Sequence, residues 1–312
     1  MPNVFTSIFF NHYGALLALF ASCCWTFAPF FFTSAVRSIG PYYMNFWRLI
    51  MASGALIIIA LISIIMNPEI TRGITGQSVM WMSFSGIIGL VIGDFFYFSA
   101  LKHMGPRRTL QILTAVPIVS ALGALLFLDE QLSVFANAGI TLTVVAILSV
   151  NLFDMREKAS NEPGSFSYIG LGLAVLGTIC QGAGAVLMRK AYLCTGDLNT
   201  IVATAIRISS AGAALVLFVL ISGKISGAAK AVPSAKAFGR LVGGTALGPV
   251  LGMLFYVASL KFAPAGIAST MSSLSPVLIV PITAWKYKSR LNIPALIAMI
   301  VAVCGVVLIF HK

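Results

Sequence analysis

Charge is what this chain has least of. Asp, Glu, Lys and Arg make up 9% of its 312 residues, where a soluble domain carries about a quarter. Cysteines are few and unpatterned. Cys23, Cys24, Cys180, Cys194 and Cys304 lie in or beside apolar stretches, with neither metal-ligand spacing nor a disulfide framework. His12, His103 and His311 are too far apart in sequence to suggest a metal cluster. There is no Walker loop, no dinucleotide-binding fingerprint, no nucleophile elbow and no carboxylate pair of hydrolase type. The expectation is a non-enzymatic protein with no catalytic residues, no metal and no cofactor. A formal charge of +12 invites a nucleic-acid reading. The basic residues instead fall singly or in pairs between hydrophobic segments, where anionic lipid headgroups and orientation signals account for them.

What is abundant is apolar. Hydrophobic residues supply 59% of the chain and the mean hydropathy is +1.00. The runs are too long, and alternate too little, for strands. Ten predicted spans cover 13–36, 42–66, 78–101, 107–128, 133–152, 167–191, 198–222, 240–262, 265–286 and 291–311. Each is near the ~20 residues that cross a hydrocarbon core. The first has no basic n-region and no small-residue cleavage site, so it reads as a retained helix. Breaks are expected at Gly40-Pro41, Asn67-Pro68, Gly105-Pro106 and Asp129-Glu130, with longer polar loops at 153–166 and 223–239.

The chain also repeats itself. Residues 86–117, shifted by 159 positions, align with 245–276, and the identities include Gly89/Gly248, Gly93/Gly252, Phe96/Phe255, Tyr97/Tyr256, Leu101/Leu260, Lys102/Lys261 and Pro117/Pro276. The same shift pairs Arg48 with Arg207. Five spans per copy is an odd number, so the second copy must enter the membrane from the opposite side. The reading is an all-α polytopic membrane protein of ten transmembrane helices in two inverted repeats, 1–152 and 167–312, joined by 153–166. Inverted repeats of this kind characterise alternating-access carriers.

Trp25-Thr26-Phe27-Ala28-Pro29, Phe46-Trp47-Arg48, Tyr97-Phe98-Ser99-Ala100-Leu101-Lys102 with Pro117, and Leu128-Asp129-Glu130 form one ordered series. Gly184 to Lys190, Tyr256 to Lys261 and Ser275-Pro276 form a second. Together they resemble the drug/metabolite transporter superfamily, specifically its ten-helix EamA-type members. That resemblance implies a carrier of amino acids, related metabolites, or amphiphilic and cationic compounds, often moving outward. Two features depart from it. Trp285-Lys286-Tyr287-Lys288 stands where the second repeat usually has a glutamate, and Lys288 falls opposite Asp129 in the repeat register. Positive-inside counting puts both termini outside, whereas the resemblance implies cytoplasmic termini.

Asp94 is the sharpest candidate, a carboxylate deep in a span, where it normally faces a cavity or a partner. It suits attraction of a cationic group, proton coupling, or pairing with a basic residue. Arg48 and Arg207 are expected near opposite membrane faces, where they contact an anionic substrate group or, more simply, snorkel or pair. Trp25, Tyr97, Tyr256 and Gln181 lie on helices expected to line a central route, and offer apolar surface with a polar handle. Packing is the plainer role for the aromatics. Ser269, Thr270, Ser272, Ser273 and Ser275 make a polar entry to the ninth span, for substrate or for helix–helix hydrogen bonds. Gly89, Gly93, Gly248 and Gly252 permit close helix approach, and Pro117 and Pro276 free a carbonyl, so that each half has a matched weak point for gating or packing.

The functional expectation is alternating-access export of an amino acid or small amphiphilic metabolite, by facilitated diffusion or with proton coupling. The alternatives are a carrier of a lipid or lipid-linked headgroup and, further off, a membrane enzyme. The partners expected are a small-molecule metabolite and membrane lipids, with no nucleic acid. The location is the plasma or bacterial inner membrane. Nothing in the sequence chooses between a monomer and a homodimer.

Overall fold

In hydrocarbon every backbone N–H and C=O needs a partner inside its own segment, which a helix provides. The computed structural model describes residues 4–158, 167–223, 235–275, 277–278 and 293–310, and their regular structure is helical throughout. Five stretches are long and apolar enough to cross a membrane: Tyr42–Met66, Gly76–Ala100, Tyr168–Thr195, Thr200–Ile221 and Ala237–Phe262. His12–Ala28, Val116–Leu128, Val134–Ser149 and Ile300–Ile309 are shorter apolar helices. The surface fits a lipid environment. Met66, Val134 and Ile221 are at least 79% exposed, while Thr26, Ser85, Ser120, Thr204 and Ser259 are buried. The chain is an all-α polytopic membrane protein.

The helices are α1 (Val4–Met66), α2 (Gly76–Gly86), α3 (Asp94–Leu113), α4 (Val116–Leu128), α5 (Val134–Lys158), α6 (Tyr168–Thr195), α7 (Thr200–Ile221), α8 (Ala235–Thr245), α9 (Met253–Phe262), α10 (Ala265–Ser272) and α11 (Ile293–Phe310). Polar residues start several of them. Thr75 and Ser78 form a reciprocal capping box on α2, Ser167 accepts from Gly170 N at the start of α6, and Asn199 accepts from Ile201 N at the start of α7. Asn67 caps the short 3₁₀ turn Pro68–Thr71, which ends the second apolar stretch where Asn67-Pro68 was expected to end it.

The two breaks expected at Gly40-Pro41 and Gly105-Pro106 are reversals of chain direction with no extended residue between the spans. Residues of helical conformation cover Val4–Met66 and Asp94–Leu113, yet the chain turns back inside each. Tyr97 and Ile112 both lie against Gly177-Thr178. Gly14 and Gly73 reach Ala263 and Leu198 at the same end of the bundle, where Lys261 bonds the Leu198 carbonyl. Proline removes one donor, a loss that neighbouring groups can absorb in a membrane protein. A further interruption falls at Thr114-Ala115, inside the fourth span, and Pro117 sits in the first turn of α4. The connection expected at 153–166 is also shorter, because α5 continues to Lys158.

The helical irregularities obey the repeat. A π-helical segment occupies Ile87–Gly93 between α2 and α3, and a second occupies Ala246–Gly252 between α8 and α9. They are 159 positions apart. The turn at Thr114-Ala115 has its counterpart at Ser273-Leu274, under the same shift.

Packing crosses the two halves. α6 lies against α2, the first π segment, α3 and α4, whereas α1 lies against α8, the second π segment, α9 and α10. α1 also packs on α7, and α5 on α11. Small residues allow this: a Cβ on Gly182 would meet Val119, and one on Gly305 would meet Thr143.

At one end of the bundle several helix termini meet. Arg189 Nε donates to Glu130 Oε1 at 2.5 Å, and Arg189 Nη1 donates to the Leu260 and Lys261 carbonyls. Glu130 Oε2 accepts from Ala265 N, and Lys261 Nζ donates to Leu198 O. These contacts tie the ends of α4, α6 and α9 to the starts of α7 and α10.

Candidate functional site

A cavity of about 480 Å³ lies between these crossed elements. Its wall includes Trp25 and Arg48 from α1, Asp94 and Tyr97 from α3, Gln181 from α6, Arg207 from α7, Tyr256 from α9, and Ser272 and Ser273 at the end of α10. These nine candidates thus line one space, with Ser275 beside them, whereas Ser269 and Thr270 are not among its lining residues. The gating candidates are nearby rather than uniformly on the wall. Gly248 lines it, Gly89, Gly93 and Gly252 belong to the flanking π segments, and Pro117 is buried in α4. Pro276 lies outside the described residues.

Asp94 is 8% exposed and sits where the first π segment gives way to α3. A buried carboxylate needs its charge matched and its oxygens satisfied. Arg48 Nη2 donates to Asp94 Oδ2 at 3.1 Å and to Asn45 Oδ1 at 2.6 Å. Asn45 is three residues before Arg48, hence on the same face of α1. Gln181 Nε2 donates to Asp94 Oδ1 at 3.1 Å and to the Gly89 carbonyl at 3.2 Å. The amide therefore clamps both the carboxylate and a π-segment carbonyl. Irregular backbone of this kind recurs at functional sites.

Arg207, buried to 3% exposure, does not snorkel. Its Nη1 donates to Ser85 Oγ, which anchors it to α2. A Cβ on Gly89 would lie 3.1 Å from Arg207 Nη2, so a glycine is what lets the guanidinium reach the π segment. Arg48 and Arg207 thus share one cavity, from a register that predicted opposite faces.

On the far wall Trp25 and Tyr256 meet edge to face at 5.3 Å. Tyr256 hydroxyl and Ser269 Oγ share a hydrogen bond of 3.0 Å, and Ser269 Oγ reaches Ser120 Oγ at 2.9 Å. Ser22 Oγ and Ser275 Oγ are 3.2 Å apart. Part of the serine-rich stretch therefore serves helix–helix hydrogen bonding, while Ser272 and Ser273 also border the cavity. A Cβ at residue 252 would come within 2.7 Å of Trp25 Nε1.

Sequence reasoning missed Asn45, Ser85 and the Glu130–Arg189 pair. Asn45 had a signal in its i, i+3 spacing to Arg48. The others are joined only by tertiary packing.

The model of the EamA-like transporter family matches residues 12–152 and 168–311. A solved crystal structure of a protein superposes with a TM-score of 0.71, covering 95% of this chain and 96% of that one at 19% identity, a likeness of fold alone. No curated protein matches the sequence.

Proposed function

Because the chain belongs to the EamA-like transporter family, we propose that it is an alternating-access carrier exporting an amino acid or small amphiphilic metabolite across a plasma or bacterial inner membrane. The observation that carries this reading is the cavity itself. Residues from both repeats build it, and it offers an aromatic pair, a clamped carboxylate and two guanidinium groups to one small molecule. Its volume is within the usual range for small-molecule sites.

The cycle we propose uses ten spans arranged as two inverted five-helix repeats. The matched π segments at 87–93 and 246–252, and the matched turns at 114–115 and 273–274, support that symmetry. They are the weak points at which each side yields in turn. The Glu130–Arg189 pair and its carbonyl contacts hold one end of the bundle shut. Substrate enters from the other end, lowers the cost of closure by its contacts, and leaves once the ionic cluster parts. The chain carries out no covalent chemistry in this scheme and uses no cofactor. Protonation of Asp94, which would release Arg48, is the route by which a proton gradient enters the cycle.

The test is flux of a mixed labelled metabolite set in proteoliposomes at two pH gradients. Carrier function predicts saturable movement of some members, with counterflow. No flux across a broad panel would remove the proposal. A rate that follows the pH gradient, and loses that dependence in Asp94→Asn, would establish coupling.

A further inference from the structure

The cavity carries more positive than negative charge. Among the described residues that line it, the carboxylate and guanidinium groups are Asp94, Arg48 and Arg207. Asp94 is already engaged on both oxygens, by Arg48 and by Gln181. Arg207 is not matched in the same way. Its guanidinium makes one hydrogen bond among the described residues, to Ser85 Oγ, and its buried Nε has no hydrogen-bond partner; Arg48 Nε has none either, but Arg48 holds a carboxylate. The Tyr256 hydroxyl and Asp94 both act on it electrostatically, but the ion pair of Asp94 is with Arg48.

An unpaired cation buried in a membrane protein is expensive, and an intramembrane ionisable residue facing a cavity marks a substrate or ion pathway. A guanidinium is flat and forked, weakly hydrated, and matches a carboxylate with two parallel N–H···O contacts. One surplus positive charge calls for one negative charge, whereas a phosphate monoester would bring close to two. The rest of the wall is suited to an apolar body: Trp25, Leu90, Ile208, Met253 and Tyr256 all border the same space. We infer that Arg207 is the anion-binding residue of this cavity, and that its ligand is a small molecule with a single carboxylate on an apolar or aromatic body. A free ammonium group gains less here, because it must displace Arg48 or Gln181 from Asp94. The inference rests on the carrier reading only in taking this cavity as the substrate site, and it narrows the substrate class.

Binding is measured apart from transport, by thermal unfolding of the purified full chain in detergent. The probes are sodium butyrate, octanoate and 3-phenylpropionate, each set against its amide and its amine analogue at equal ionic strength. At saturating concentration the best carboxylate is expected to raise Tm by about 2–4 °C, and its amide and amine to leave Tm unchanged. Arg207→Gln removes that shift. Arg207→Lys keeps the charge without the fork and retains a reduced one. The unliganded Arg207→Gln protein melts at or above the wild type, because the unmatched cation is gone. The inference is overturned if no carboxylate shifts Tm, if amide or amine shifts it equally, or if the shift survives in Arg207→Gln. It is also overturned if the empty Arg207→Gln protein melts well below the wild type, which would mark a structural role for Arg207. The two proposals fail separately. Arg207-dependent binding without any flux sinks the carrier reading alone, and flux confined to neutral or cationic compounds, unaltered in Arg207→Gln, sinks this one alone.

Discussion

Asp94 and Arg48 hold one another from different helices, and the balance of charge around them decides what each substitution does. Asp94→Asn leaves two guanidinium groups facing one cavity with no carboxylate between them. Removing one member of a buried pair costs on the order of 3 kcal/mol, so this variant should melt lower than the wild type. Transport should drop at least tenfold, read as initial flux in proteoliposomes made with folded protein. Arg48→Gln leaves Asp94 with Arg207, makes the cavity neutral, and should cost less stability. Equal melting temperatures for the two variants would contradict this account. Gly252→Ala is a steric test at the same scale. The added Cβ pushes on the Trp25 indole, and overpacking of this sort costs about 1–3 kcal/mol. The expected result is a displaced Trp25, seen as a change in its fluorescence, with reduced flux.

The legible part of the site was its residue types. A carboxylate inside an apolar run, an arginine in each copy and a glutamine in a span are visible one at a time, because each is costly in lipid and therefore informative. Their pairings were not visible. Nothing in the spacing of Gln181 says that it will reach both Asp94 and the Gly89 carbonyl, contacts that close over 87 and 92 residues of chain.

For the helices, glycine and proline gave mixed guidance. Gly40-Pro41 and Gly105-Pro106 mark where the chain turns back on itself, yet no glycine or proline stands in the second interruption, at Thr114-Ala115. A proline states only that one N–H is missing. Whether the helix stops there depends on what can satisfy the freed carbonyl, and that is decided by neighbours. The π segments had a clearer trace in the paired glycines at 89/248 and 93/252. At the same scale the Glu130–Arg189 pair joins α4 to α6, and its side chains are only 11% and 15% exposed. Glu130→Gln removes the charge and leaves Arg189 with carbonyl partners only. The variant should lose about 3 kcal/mol of stability. Cysteine probes placed along this end should also label faster, since the shut conformation is weakened relative to its alternative.

Across the whole molecule, the halves of the sequence are not the halves of the structure. α6 is packed among α2, α3 and α4, and α1 among α8, α9 and α10. Each half of the chain therefore lends a helix to the other. Residues 1–158 expressed alone should be readily degraded, because the surface that receives α6 is left open. Co-expressed with 159–312, the same segment should gain protease resistance and co-purify. Independent stability of either piece would contradict the crossed packing. Topology has its own check. Impermeant thiol labelling at positions 72, 190 and 261 should report one face of the membrane, and at 158 and 224 the other. Labelling of both groups from a single face would remove the inverted arrangement.

Hydrophobic run length, scarcity of charge and the 159-residue repeat determined from sequence alone that this chain is helical, membrane-embedded and duplicated. The bilayer enforces that outcome locally, since each span must satisfy its own backbone wherever it sits. Tertiary structure alone decided that the repeats interlock and that Asp94 is clamped while Arg207 is left unmatched. Those results depend on which small residues let which helices approach. Side chains far apart in sequence then share one low-dielectric space, where a single unbalanced charge sets what the cavity will accept.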